Sequence, residues 1–180
     1  PVTRGRPMRS IRLRAIHITP ALSRAGQLRG VVMGWRTQAR ASSMLVLRID
    51  DGGTVCNVPA HDHKVAGVAV QSVAFRPGTT ELFTGGRDGR IKTWNTVDWR
   101  ELRSQALGDA GAANGRVASL SVSRDGRRLA VGGESGELLL QDLGGEAGGA
   151  ASGSGSATNG ATLRLSVSTG ENVAALRFSP

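Results

Sequence analysis

Residues 120–142, LSVSRDGRRLAVGGESGELLLQD, repeat residues 73–95, VAFRPGTTELFTGGRDGRIKTWN, over 23 positions without a gap, at a period of 47. Leu82 meets Leu129, Gly85-Gly86 meets Gly132-Gly133, Gly89 meets Gly136 and Ile91 meets Leu138. LRFSP at 176–180 then restarts the opening VAFRP. Within each copy, short apolar runs are separated by turn formers: Pro77-Gly78 and Gly85-Gly86-Arg87-Asp88-Gly89 in the first. That order reads strand, turn, strand, turn, strand. Val73 and Phe75 share one strand face, as do Lys92 and Trp94, because side chains alternate at period 2. Asp88-Gly89 suits a tight hairpin, since Gly accepts positive φ and Asp bonds its own backbone. A sheet-sized unit copied in tandem buries its faces only against its neighbours, and roughly 40–45 residues per unit points to propeller blades.

The middle unit resembles the WD40 repeat family. Ala60-His61 stands at that family's Gly-His pair, Val-Ala-Phe-Arg-Pro at its Phe-Ser-Pro-like turn, Arg87-Asp88-Gly89 at its Asp turn and Trp94-Asn95 at its closing Trp-Asp. Upstream, LVLRIDDGGTVCNVPAH looks like the end of an earlier blade, with Ile49-Asp50 at the Trp-Asp position. The resemblance implies an all-β fold: a partial WD40-type propeller of about two to three antiparallel four-stranded blades, preceded by an irregular basic leader. The expected divisions are the leader at 1–42 and repeats at 43–180. Within the repeats, blades are expected at 43–59 (partial), 60–107 and 116–168, with a further start at 173–180. The stretch at 144–162, rich in Gly, Ser and Ala, reads as a flexible insertion. The 14 residues from His61 to Phe75 are long for the family, so a bulge or insertion is expected near Gly67 or Gln71.

Charge divides the chain a few residues past the leader. Residues 1–49 hold ten Arg and no acid, while the remainder holds 13 Lys plus Arg against 14 Asp plus Glu, for a net charge of +9. In the leader, Met8, Ile11, Ala15, Ile18 and Leu22 fall on a helical stripe, Ile11 to Arg14 alternate as a strand would, and Pro20 interrupts a helix. Both readings stand at this level. An Arg-rich, acid-free segment is a linker or flank, an arm for an acidic partner such as nucleic acid, or a targeting segment. Trp35 is its only aromatic, which argues against base stacking.

Chemistry-bearing motifs are few. His61-Asp62-His63 has ligand types for a metal, but His17 is the only other histidine and Cys56 the only cysteine, so no metal or cofactor is expected. Cys56 lies in a strand pattern without a basic neighbour, as a packed thiol does, and a single cysteine excludes an internal disulfide. Gly133-Glu134-Ser135-Gly136-Glu137 lacks the last Gly of a nucleophile elbow, and no Gly-Lys-Ser/Thr phosphate loop occurs, so the chain is not read as an enzyme. No apolar run approaches the ~18 residues of a membrane span.

The family resemblance implies instead a buried structural tetrad of His61, Thr84, Asp88 and Trp94, with His63 as the alternative to His61. The following unit has Val131, Ser135 and Gln141 at the Thr, Asp and Trp positions and no His in 108–116, so it must rely on apolar packing. The resemblance further implies a non-catalytic protein–protein interaction scaffold within a multi-subunit assembly, joined to further blades of a longer chain. Arg87, Arg90, Lys92, Arg127 and Arg128, which flank turns, are candidate partner contacts, against the plainer reading of solvated turn charges. At family level the expected compartment is the cytoplasm, with cytoskeletal or ciliary assemblies as further options within it. The alternative function is a nucleic-acid or acidic-partner binder that uses the Arg-rich leader.

Overall fold

The computed structural model describes residues 12–22, 28–35, 42–48, 53–61, 70–107, 115–144, 162–166 and 173–179. Their regular structure consists of twelve strands: β1 Arg12–Leu22, β2 Leu28–Trp35, β3 Ser42–Arg48, β4 Thr54–His61, β5 Val70–Phe75, β6 Glu81–Gly86, β7 Arg90–Asn95, β8 Glu101–Ala106, β9 Val117–Val122, β10 Arg128–Gly133, β11 Glu137–Asp142 and β12 Thr162–Ser166. They form three four-stranded antiparallel meanders: β1-β2-β3-β4, β5-β6-β7-β8 and β9-β10-β11-β12. The first strand of one sheet lies beside the first strand of the next, β1 by β5 and β5 by β9, so the sheets stack as successive vanes.

The turns follow from their residues. Gly89 (φ 73) and Gly136 (φ 83) take the left-handed position of the β6–β7 and β10–β11 hairpins, and their amides bond back to Gly86 and Gly133. Asp88 accepts the Arg90 amide at 3.1 Å and tightens the first of these turns. The strand pairing shifts register between Val70 and Ser72, which places a bulge at Gln71; Gly67 lies outside the described residues.

The alternation in the middle sheet sends its two faces to different cores. Val70, Val73, Leu82 and Trp94 pack against Met44, Val46 and Ala60 of the first sheet. Ala74, Phe83 and Ile91 pack against Val117, Leu120, Leu129, Val131 and Leu139 of the third. Burial of each large aliphatic or aromatic side chain stabilises by about 1.5–3 kcal/mol, and in these two cores the described side chains are buried between vanes. Among the described side chains, neither core lies within a single sheet, as expected for a repeat architecture.

Two expectations are corrected. Residues 1–42 are not an irregular leader throughout: Arg12–Leu22 and Leu28–Trp35 are strands that complete a first sheet running to His61, in place of a partial blade at 43–59. The competing helical stripe loses because β2 pairs with β1 over most of Arg12–Leu22 and is itself paired with β3. Pro20, which would break a helix, falls in an edge strand at the register gap between His17 and Ala21, where no ladder bond is lost. The middle sheet in turn begins at Val70, since Ala60-His61 ends β4.

Candidate functional site

β4 ends at His61, whose side chain reaches from the first sheet onto the second. The ring fits there because Gly86 has no side chain: a Cβ at that position would lie 2.2 Å from His61 Nδ1. Nδ1 stands 2.9 and 3.1 Å from the two carboxylate oxygens of Asp88 in the β6–β7 turn. Nε2 stands 2.9 Å from Thr84 Oγ1, which also accepts the Trp94 indole N–H at 2.9 Å. A carboxylate only accepts, so Nδ1 carries the donated proton; in that neutral tautomer Nε2 is the acceptor and the Thr84 hydroxyl donates to it. Thr84 is fully buried, and Trp94 and His61 are nearly so, yet each polar atom has a partner. Left unpaired at that depth, each would cost about 1–3 kcal/mol. His63 and Asp62 lie outside the described residues. Among those described, no group of three or more metal-ligating side chains occurs.

The third sheet fills the same slot differently. Leu107, just after β8, lies against Gly133 as His61 lies against Gly86. It packs with Val131, at the Thr84 position, and Leu139, at the Lys92 position. Gln141, at the Trp94 position, accepts from Gln105 Nε2 across the seam at 2.7 Å. Glu137 Oε2 is buried there without a hydrogen-bond partner among the described residues. The 47-residue period points to Gly108, one residue beyond Leu107, so periodicity alone does not reveal the replacement.

Three seam features escaped the motif reading. Ser72 Oγ accepts the Leu120 amide at 3.0 Å, and Ser119 Oγ accepts the Leu176 amide at 3.1 Å, so the same serine bond recurs at two successive seams. Gly85 and Gly132 leave the space that Val117 and Val173 enter: an added Cβ would come within 2.3 and 2.6 Å of their Cγ1 atoms. Recurrence of Ser72/Ser119 and Gly85/Gly132 at the repeat period was the available signal. Arg76 is the third. Its Nε donates to Gly126 O at 2.7 Å, Nη2 to Gly144 O at 2.8 Å and Leu143 O at 3.3 Å, and Nη1 to Glu81 at 2.7 Å. One nearly buried guanidinium thus bolts the second sheet to the third.

The candidate contact residues separate. Lys92 is committed to Glu101 at 2.8 Å and lies 5.7 Å from the Trp94 ring centre. Arg87 approaches Glu134 at 3.8 Å, and Arg90 donates to Ser104. Arg127 and Arg128 are exposed. Cys56 is half-buried, and burial raises its thiol pKa, as in a packed and unreactive cysteine.

Stacked four-stranded meanders locked by inter-sheet side chains are the blades of a β-propeller. Residues 53–95 match the family model described as WD domain, G-beta repeat. A solved structure of U3-55K superposes with a TM-score of 0.64 at 15% identity, over 97% of this chain and 44% of that one. A crystal structure of RRP9 WD40 repeats does so with a TM-score of 0.64 at 16% identity, over 97% of this chain and 43% of that one. The chain carries a WD40 repeat at 53–95, and its fold is that of consecutive WD40 blades. It spans less than half the length of these solved chains.

Proposed function

We propose that this chain contributes consecutive blades to a larger WD40 propeller that serves as a non-catalytic platform for partner proteins. The carrying observation is the repeated seam. Residues 173–179 sit on the third sheet through Val173, Leu176 and the Ser119 hydroxyl, as Val117 and Leu120 sit on the second through the Ser72 hydroxyl. Such a seam continues one vane after another, and vanes fixed to one another present rigid turns at both ends of each sheet. The tetrad of His61, Thr84, Asp88 and Trp94 has a structural role in this reading: it holds the middle blade to the first, and no reaction is assigned to it.

The test is affinity capture on the full chain followed by cross-linking. The platform reading expects captured proteins, cross-linked to blade turns, that survive high salt and the triple variant R4Q/R6Q/R9Q. The Arg-rich segment 1–49 favours the second reading, an acidic or nucleic-acid partner held by charge. Binding that collapses as salt rises and is lost in that variant would replace the platform reading.

A further inference from the structure

The β9–β10 turn, Ser123-Arg124-Asp125-Gly126-Arg127-Arg128, puts three arginines on one short loop, all exposed. None of their guanidinium groups has an ion-pair partner among the described residues, unlike those of Arg76, Arg87 and Arg116. The only acid of the turn is spent internally. Asp125 accepts from the Ser123 hydroxyl and from the Arg127 amide, and these bonds hold its carboxyl below the usual aspartate value. Asp142, opposite Arg128 in the sheet, accepts the Gly144 amide.

The loop is also braced from several sides. The Gly126 amide bonds Ser123 O at 2.9 Å, and its carbonyl takes the Arg76 Nε at 2.7 Å. Gly126 has φ +70, and a Cβ there would lie 2.9 Å from Pro77 O, so only glycine lets the turn nest on the neighbouring blade. The Arg127 carbonyl accepts the Leu143 amide at 2.7 Å, and the Arg128 amide donates to Ser123 Oγ at 2.9 Å. The arginine stems therefore leave from a fixed backbone, and binding has to order the side chains but not the loop.

We infer that Arg124, Arg127 and Arg128 form a docking point for an acidic peptide segment of a partner protein. This rests on the platform reading and names the surface and the partner chemistry. A guanidinium pairs with a carboxylate through two parallel bonds, and three on one turn match closely spaced Glu or Asp side chains. Nucleic acid fits less well, because the turn is too short to track a phosphate backbone and carries no aromatic residue for stacking.

The experiment uses the full chain and a fluorescein-labelled peptide of alternating Glu and Asp, with a single-stranded oligonucleotide in a parallel arm. Fluorescence anisotropy is read for wild type, for R124Q/R127Q/R128Q and for R103Q, an exposed arginine on β8. The inference expects peptide binding that weakens with salt, falls about tenfold or more in the triple variant and is unchanged in R103Q. Unchanged thermal unfolding of the triple variant confirms that the loss is local. Equal peptide binding by the triple variant overturns the inference, as does no peptide binding by wild type, or oligonucleotide binding at this turn tighter than peptide binding. A wild-type chain that captures partner proteins but binds no acidic peptide would leave the platform reading standing and this docking point refuted.

Discussion

The second and third sheets share a turn plan, a seam and a glycine pair, yet are closed by opposite chemistry. In the second, His61, Thr84, Asp88 and Trp94 pass one hydrogen bond to the next. In the third, Leu107, Val131 and Leu139 close the same space with apolar contact. The repeat keeps the serine and glycine contacts of the seam and permits change in the slot, so those contacts and not the tetrad define the architecture. A buried polar chain must be complete to be tolerated. With Val131 standing where the second sheet has Thr84, an imidazole and an indole N–H would lose their shared partner, and a leucine becomes the better occupant.

Substitutions at equivalent positions break this comparison most sharply. Trp94→Ala removes a buried indole that anchors the first-to-second core, and is expected to cost about 3–5 kcal/mol in denaturant unfolding. Gln141→Ala, at the matching place, loses only its bond to Gln105 and costs about 1 kcal/mol. Similar losses at both sites would mean that the two slots do the same work.

Arg76→Met comes next. It leaves the Gly126, Leu143 and Gly144 carbonyls without their charged donor, for an expected loss of about 1.5–3 kcal/mol. Amide hydrogen exchange should then rise first at Gly126 and Leu143, while Leu82 and Trp94 keep their protection. Thr84→Val orphans His61 Nε2 and Trp94 Nε1, and Val131→Thr buries a hydroxyl among aliphatic side chains. Each exchange is expected to destabilise by about 1–3 kcal/mol, although each copies the residue of the other sheet. A neutral result for either would show that slot chemistry is interchangeable. The seams should show no such asymmetry. Gly85→Ala and Gly132→Ala both drive a methyl into a valine, and equal losses of about 1–3 kcal/mol in thermal unfolding would confirm that the two joints are built alike.

Much of this was legible in the sequence because it is local. The hairpin at Gly85–Gly89, the strand at Val73–Phe75 and the shared face of Lys92 and Trp94 all follow from neighbouring letters. The bonds of Arg76 are different: its carbonyl partners lie 50 to 68 residues away, and no nearby residue marks them. Arg12–Leu22 was ambiguous for another reason, since its apolar residues satisfy helical spacing and only pairing with Leu28–Trp35 decides for a strand. Leu107 escaped because it sits one residue before the position that the repeat period indicates.

The hydrogen-bond relay through Thr84 is tested most directly by a double-mutant cycle of His61→Ala and Trp94→Phe, measured by denaturant unfolding in the Thr84 and Thr84→Val backgrounds. The two side chains meet only through the Thr84 hydroxyl in the polar chain, so a relay predicts a coupling of about 0.5–3 kcal/mol with Thr84 present and none in the Thr84→Val background. Losses that add to within about 0.3–0.5 kcal/mol in both backgrounds would contradict it.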